Sequence, residues 1–194
     1  MIIGITGGIG SGKSFVCHIL QQMGYPVYVC DDAAKRLMQT DPTLRRQLTN
    51  LLGPDAYVDG TLNKEVVARY LFRNQENASR INCMVHPAVF RDMQSWYSRQ
   101  SAPLCFVESA ILFEAHFHTA MDATILVDAD ETVRLQRAME RDHTDATHIR
   151  SRMARQQSAA DTRQMVDYVL TNNPDSDIRS EINRLIEYLN KTTK

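Results

Sequence analysis

Residues 7–14 read GGIGSGKS, and the types and spacing of Gly7, Gly12, Lys13 and Ser14 meet the pattern G-x-x-x-x-G-K-[ST]. Each residue type has a task in such a loop. Glycines let the backbone bend until several N–H groups point inward at phosphate oxygens. A helix starting at the end of the loop adds the positive end of its dipole. Lys13 can reach β- and γ-phosphates, and the Ser14 hydroxyl can ligate Mg²⁺. The stretch Gly8, Ile9, Gly10, Ser11, Gly12, Lys13, Ser14 and Phe15 is therefore expected to hold a nucleoside triphosphate. The rival dinucleotide pattern G-x-G-x-x-G fails on spacing: from Gly8 and Gly10 the third glycine falls on Lys13, and from Gly10 and Gly12 it falls on Phe15.

Other residues could do chemistry on the bound nucleotide. Asp31 follows an apolar run ending at Val29, so it is expected on the rim near the loop, where a carboxylate can take a proton from an attacking hydroxyl. An aspartate there can equally be a helix N-cap, and both readings stand. Glu108 also ends an apolar run and could hold Mg²⁺ through water or position an acceptor. Arg134, Arg137, Arg141, Arg150, Arg152 and Arg155 cluster within residues 134–157. Arg137 and Arg141 share a helix face, and guanidinium groups closing on a transferring phosphoryl group supply catalysis. This stretch reads as an arginine-rich lid that excludes water. His86-Pro87 interrupts a helical pattern, so His86 is expected at a helix end.

The elements that must position these residues alternate between strand and helix. Strands are expected at 1–6, 27–29, 104–107, 123–127 and 168–171. Helices are expected at 12–23, 32–39, 130–141 and 175–190. The first of these should bury a face of Phe15, Val16, Ile19, Leu20 and Met23, with Gly24 as its C-terminal glycine. Residues 42–100 read as almost wholly helical, broken at Gly53-Pro54 and Asp59-Gly60. The alternation implies an α/β fold, a five-stranded parallel sheet flanked by helices. Thr6, Val29, Val107, Val127 and Thr171 then mark the ligand-binding rim. One domain is expected: a core of residues 1–40, 101–141 and 161–194, a helical substrate region at about 41–100, and the lid at about 142–160.

Bulk properties narrow the class. The chain has 194 residues, 43% hydrophobic and 23% charged, with a net charge of −1. Such a balance gives no overall field for nucleic acid or an anionic membrane, and no apolar run reaches membrane-spanning length. The apolar start lacks a basic segment and reads as a buried strand, not a secretion signal. Cys17, Cys30, Cys83 and Cys105 show no C-x-x-C pairing and read as reduced thiols packed inside a cytosolic protein. A GTP-dependent switch should carry N-K-x-D, but residues 63–66 are Asn-Lys-Glu-Val. A small ATP-dependent kinase fits best. A nucleoside monophosphate kinase and a nucleotide-dependent binding protein are the alternatives.

Taken in order, these segments resemble the dephospho-CoA kinase family over about residues 2–175. The opening GITGGIGSGKS is similar to that family's start. PVYVCDDAAKRL resembles its strand-two motif, D-A-D followed by a helix. Val29 replaces the first aspartate here, and Asp31 takes the place of the second, the family's catalytic base. Lys35 lies in the helix of that motif. The stretch from Leu62 to Pro87 resembles the helical segment ending in His-Pro, which implies that His86 is on the substrate side. ESAILFE, Glu108 to Glu114, is similar to D-x-P-L-L-F-E, with Glu108 for Asp and Ala110 for Pro. LQRAMERD resembles the lid-entry motif and carries Arg137 and Arg141; Arg152 and Gln156 fit its R-x-x-x-Q spacing. The segment from Asp167 to Asn172 is similar to the last strand motif, placing Asn172 near the adenine. The resemblance implies transfer of the γ-phosphoryl of ATP, with Mg²⁺, to the 3′-hydroxyl of the dephospho-CoA ribose. It implies Asp31, Lys13, Arg137 and Arg141 as catalytic residues, and Asp31, Lys35, His86 and Glu108 as substrate contacts. The protein is expected to be cytoplasmic, a monomer or small homo-oligomer.

Overall fold

The computed structural model describes residues 1–192. Two compact units emerge, one from Met1–Tyr28 with Gln100–Lys194 and the other from Val29–Arg99.

The first unit is built on a parallel sheet of five strands among the described residues, in the order β2-β5-β1-β6-β7. These are β1 (Ile2–Thr6), β2 (Val27–Val29), β5 (Cys105–Glu108), β6 (Ala123–Asp128) and β7 (Tyr168–Thr171). Every residue of β1 and of β5 is buried, as befits central strands of a parallel sheet covered on both faces. On one face lie α1 (Lys13–Gln22) and α9 (Ile178–Thr192). They bury Val16, Ile19 and Leu20, and Ile182, Leu185 and Leu189, against Ile3, Ile5, Phe106, Ile125 and Leu170. On the other face the chain comes so close that a Cβ on Gly4 would stand 2.7 Å from Leu112 Cδ2. Carboxylates fasten the N-terminal edge of the sheet: Ile2 N–H donates to Asp122 (2.7 Å), and the Thr124 N–H and hydroxyl both donate to Asp167 (2.7 and 2.9 Å). Beyond β6 come α6 (Glu131–Asp142), α7 (Ala146–Met153) and α8 (Ala159–Met165).

The second unit contains α2 (Cys30–Thr40), α3 (Pro42–Leu52), β3 (Tyr57–Val58), β4 (Thr61–Leu62), α4 (Lys64–Leu71) and α5 (Gln75–Tyr97). The starts of α3, α4 and α5 are capped by Asp41, Asn63 and Asn74, whose side chains accept from Leu44, Val66 and Asn77 N–H. Asn63 of the Asn-Lys-Glu-Val tetrapeptide is thus a cap. Arg45 organises the hairpin: it donates to the Gln39 and Gly60 carbonyls (2.7 and 2.9 Å) and lies 4.3 Å above the Tyr57 ring.

Several expectations need correction. The break at Asp59-Gly60 is a two-residue hairpin turn with φ of 48° and 78°, joining β3 to β4. Pro87 lies inside α5, and His86 is a mid-helix residue. The missing Pro87 N–H is outweighed by a buried stripe of Ile81, Val85, Ala88, Val89 and Met93. The buried face of α1 is turned by about one residue: Cys17 is inside, while Phe15 and Met23 are 52% and 40% exposed. Cys83 is exposed, and the other three cysteines are buried.

The α1 correction has a measurable consequence. Leu20→Ala is expected to lower the unfolding free energy by about 2–5 kcal/mol in urea titration. Phe15→Ala should change it by no more than about 0.5 kcal/mol.

Candidate active site

The phosphate loop leaves β1 at Thr6 and ends at Gly12, the N-cap of α1. Gly7, Gly10 and Gly12 have φ of 155°, 77° and 91°. No side chain caps α1, and no acidic residue stands in its first turn. Its leading N–H groups and dipole are thus left for an external anion. Lys13 folds back along the loop, with Nζ donating to the Gly7 carbonyl at 2.7 Å and the Gly8 carbonyl at 3.3 Å. Ser11 is fully buried, and its N–H donates to the Gly8 carbonyl (3.2 Å). Ser14 is exposed on the first turn of α1.

Three later elements brace this loop. From the end of β7, Asn172 is 5% exposed and donates through Nδ2 to the Ser11 carbonyl at 2.8 Å. A Cβ on Gly12 would collide with that amide. The Asn172 carbonyl in turn accepts from Arg137 Nη1 at 2.8 Å. From α6, Arg134 Nε donates to the Ile9 carbonyl at 3.1 Å, and its guanidinium covers Gly8. A Cβ on Gly10 would run into the Arg134 backbone oxygen. From the turn after α7, Gln156 Oε1 accepts from Ile9 N–H at 2.8 Å.

Glu108, the last residue of β5, is 6% exposed. Burial pushes the Cys17 thiol up to about 12, and the Glu108 carboxylate adds to the rise. Cys17 is therefore an inert packed thiol at neutral pH. Asp128, ending β6, is engaged by Arg163 at 2.8 Å. Arg141 is bound to Asp142 through Nε and Nη2 (2.8 and 3.2 Å), and Arg152 grips the same carboxylate. These guanidiniums, Arg141 first, hold the Asp142 carboxyl down at about 2.

The second unit holds the remaining expected residues. Asp31 and Asp32 are both exposed in the first turn of α2, whose N-cap is Val29. Asp31 is thus one turn position inside the helix and does not cap it. Lys35 donates to Asp32 at 3.0 Å. His86 is half-buried, and burial lowers its pKa, so its imidazole is neutral at pH 7.

The structure therefore brings Gly8–Ser14, Arg137 and Asn172 together, and places Asp31 and Lys35 on one helix. It leaves Arg141 on the Asp142 carboxylate and Phe15 on the surface. Sequence reading gave no task to the contact of Arg134 with Ile9. The signal was present: Arg134 and Arg137 are three apart on α6, as neighbourly as the chosen pair Arg137 and Arg141.

A family model described as dephospho-CoA kinase matches residues 1–177. The chain belongs to the dephospho-CoA kinase family. It is 41% identical over 188 residues to dephospho-CoA kinase of Porphyromonas gingivalis, covering 95% of this chain and 92% of that one. To the enzyme of Bacteroides fragilis it is 37% identical over 188 residues, covering 96% and 92%. A crystal structure from Thermus thermophilus superposes with a TM-score of 0.84 at 32% identity, covering 100% of this chain and 98% of that one. As a kinase of this family the chain uses ATP as co-substrate.

Two measurements test the geometry. Gly10→Ala is expected to weaken ATP binding by about tenfold or more, because the backbone of α6 blocks a Cβ at a positive φ. Gly24→Ala, at a φ of 89° with nothing within 4 Å, should cost about 1–2 kcal/mol of stability and leave ATP affinity alone. For Asp142, a pKa depressed from 3.8 to about 2 means that the pairing contributes fully above pH 4 and is lost as pH falls through about 2. Carboxyl-carbon NMR should find that midpoint, and Arg152→Ala should move it upward. An ordinary midpoint in the unaltered protein would contradict the pairing.

Proposed function

We propose that the protein transfers the γ-phosphoryl group of ATP to the 3′-hydroxyl of the ribose of dephospho-CoA, giving CoA and ADP. The observation that carries this reading is the dephospho-CoA kinase match over residues 1–177, a span that includes the phosphate loop.

The residues have separate tasks. The N–H groups of Gly8–Phe15 and the Lys13 ammonium hold the phosphates and offset their charge. Arg137, whose guanidinium lies beside Gly12 and the Asn172 carbonyl, adds positive charge on the same side. Asn172 keeps the loop shaped next to the adenine position. Asp31 takes the proton of the attacking hydroxyl. An alcohol needs such a base, whereas the phosphate acceptor of a nucleoside monophosphate kinase is already ionised. Lys35, His86 and Glu108 position the acceptor; a neutral His86 does so by hydrogen bonding, not by charge. Arg141 and the segment 142–160 close over the transferring group and exclude water.

Magnesium fits the donors present. Among the described residues no three His, Cys, Asp or Glu side chains cluster as a cation cage. Mg²⁺ in phosphoryl-transfer sites keeps several waters and takes few protein ligands besides phosphate oxygens. Ser14 would be that ligand, and the ion would neutralise charge on the β- and γ-phosphates. Among the described residues no helix is long and apolar enough to cross a membrane. In this reading the protein acts on a small molecule in the cytoplasm, as a monomer or small homo-oligomer.

ADP release with Mg-ATP is expected to depend on dephospho-CoA and not on AMP, CMP or dTMP. Turnover with the monophosphates alone would reassign the acceptor. Asp31→Asn should lower kcat by about 10²–10⁴ and leave ATP affinity intact. An unchanged kcat would remove Asp31 as the base.

A further inference from the structure

Gln156 sits half-buried between α7 and α8, and its Oε1 accepts the Ile9 N–H at 2.8 Å. Arg134 holds the carbonyl of the same residue, so Ile9 is gripped at both its N–H and its C=O. A carboxamide has one acceptor oxygen and one NH₂ donor group. With the oxygen committed to the loop, only the donors of Gln156 remain to face a ligand. Gln156 also lines a cleft together with Thr6, Gly7, Gly8, Glu114 and Arg134.

Lys13 tells which part of a nucleotide meets this cleft. Its Nζ rests on the Gly7 and Gly8 carbonyls, and a lysine at this place in the motif reaches the β- and γ-phosphates. Gly7 and Gly8 thus belong both to the lysine's surroundings and to the cleft wall. The cleft adjoins the outer, γ end of a bound triphosphate.

We propose that Gln156 is a positioning residue for the terminal phosphoryl group. Its carbonyl fixes the Ile9 peptide, and its amide donors extend the loop's anion cradle to the γ-phosphate oxygens. The idea rests on the ATP-binding reading of the loop and is independent of the acceptor's identity.

The test compares ATP with ADP, which lacks the group in question. The intact protein is titrated calorimetrically with each nucleotide in the presence of Mg²⁺ and without acceptor. Gln156→Glu keeps an oxygen for the Ile9 N–H but replaces the donors with a charged oxygen. Its ATP affinity is expected to fall by about tenfold or more, with ADP affinity changed by less than about twofold. Gln156→Ala adds no charge but also frees the Ile9 N–H, so it should lower affinity for both nucleotides, with the loss for ATP several-fold larger than that for ADP. Equal losses for the two nucleotides would make Gln156 merely structural, and unchanged ATP affinity would remove it from the site; either result overturns the proposal. A failure of the dephospho-CoA assignment would show as absent turnover in the unaltered enzyme and would leave this ATP-to-ADP ratio as expected.

Discussion

An uncapped helix start held in a bent loop is the constraint on which the first unit is organised. The N-terminus of α1 has neither a capping side chain nor an acid in its first turn. Leading N–H groups left this way are unfavourable unless water or an anion satisfies them. The bend that exposes them needs positive φ at Gly10 and Gly12, which glycine alone tolerates without strain. Freedom of that kind would make a loose loop, yet each glycine is also closed off by a neighbour. A Cβ on Gly7 would strike the Val127 carbonyl, on Gly10 the backbone of Arg134, and on Gly12 the Asn172 amide. The glycines therefore serve packing as much as phosphate access. Residues of β6 and α6 and the residue after β7 wedge the loop into shape, and a loop held this way is preorganised.

This wedging explains why residues distant in sequence sit at the loop. Asn172 directly follows β7, and its backbone N–H donates to the Asp128 carbonyl of β6 while its side chain donates to the Ser11 carbonyl. It carries the sheet's own register into the loop. Arg137 then closes the chain of bonds from α6 onto the Asn172 carbonyl. The two neutral bonds contribute about 0.5–1.5 kcal/mol each and the one from the Arg137 guanidinium about 1.5–3 kcal/mol, but removing one partner leaves a buried group unsatisfied, which is costlier. The buried Asn172 amide is such a group.

How much of this the sequence carried depends on the range of the interactions. Strand β7 at Tyr168–Thr171, β2 at Val27–Val29 and the loop itself were legible because apolar runs and glycine spacing are local signals. The parallel sheet followed from alternation of elements. The passage of α5 through Pro87 was not legible: a local rule stops a helix there, and only the burial of Val85, Ala88 and Val89 on one stripe overrides it. The β3–β4 hairpin was missed although Asp59-Gly60 is a hairpin dipeptide, because strands of two residues leave no alternation to count. Within the site, the Lys13 and Ser14 positions follow from the motif alone. The grips of Arg134 and Gln156 on Ile9 span 125 and 147 residues of sequence, and no spacing rule encodes them.

The arginines of α6 and α7 raise a last question of energy. Arg141 and Arg152 share the Asp142 carboxylate. Both guanidiniums are half-exposed or more, with side-chain exposures of 60% and 50%. Exposed ion pairs of this kind are worth about 0–1 kcal/mol. A guanidinium meeting phosphate bidentately in a site closed to water forms a stronger, charge-assisted contact. The Asp142 pairing is thus nearly neutral in stability, whereas a buried bidentate contact to an anion would be strongly favourable. Asp142 thus keeps two cations paired at little expense in stability.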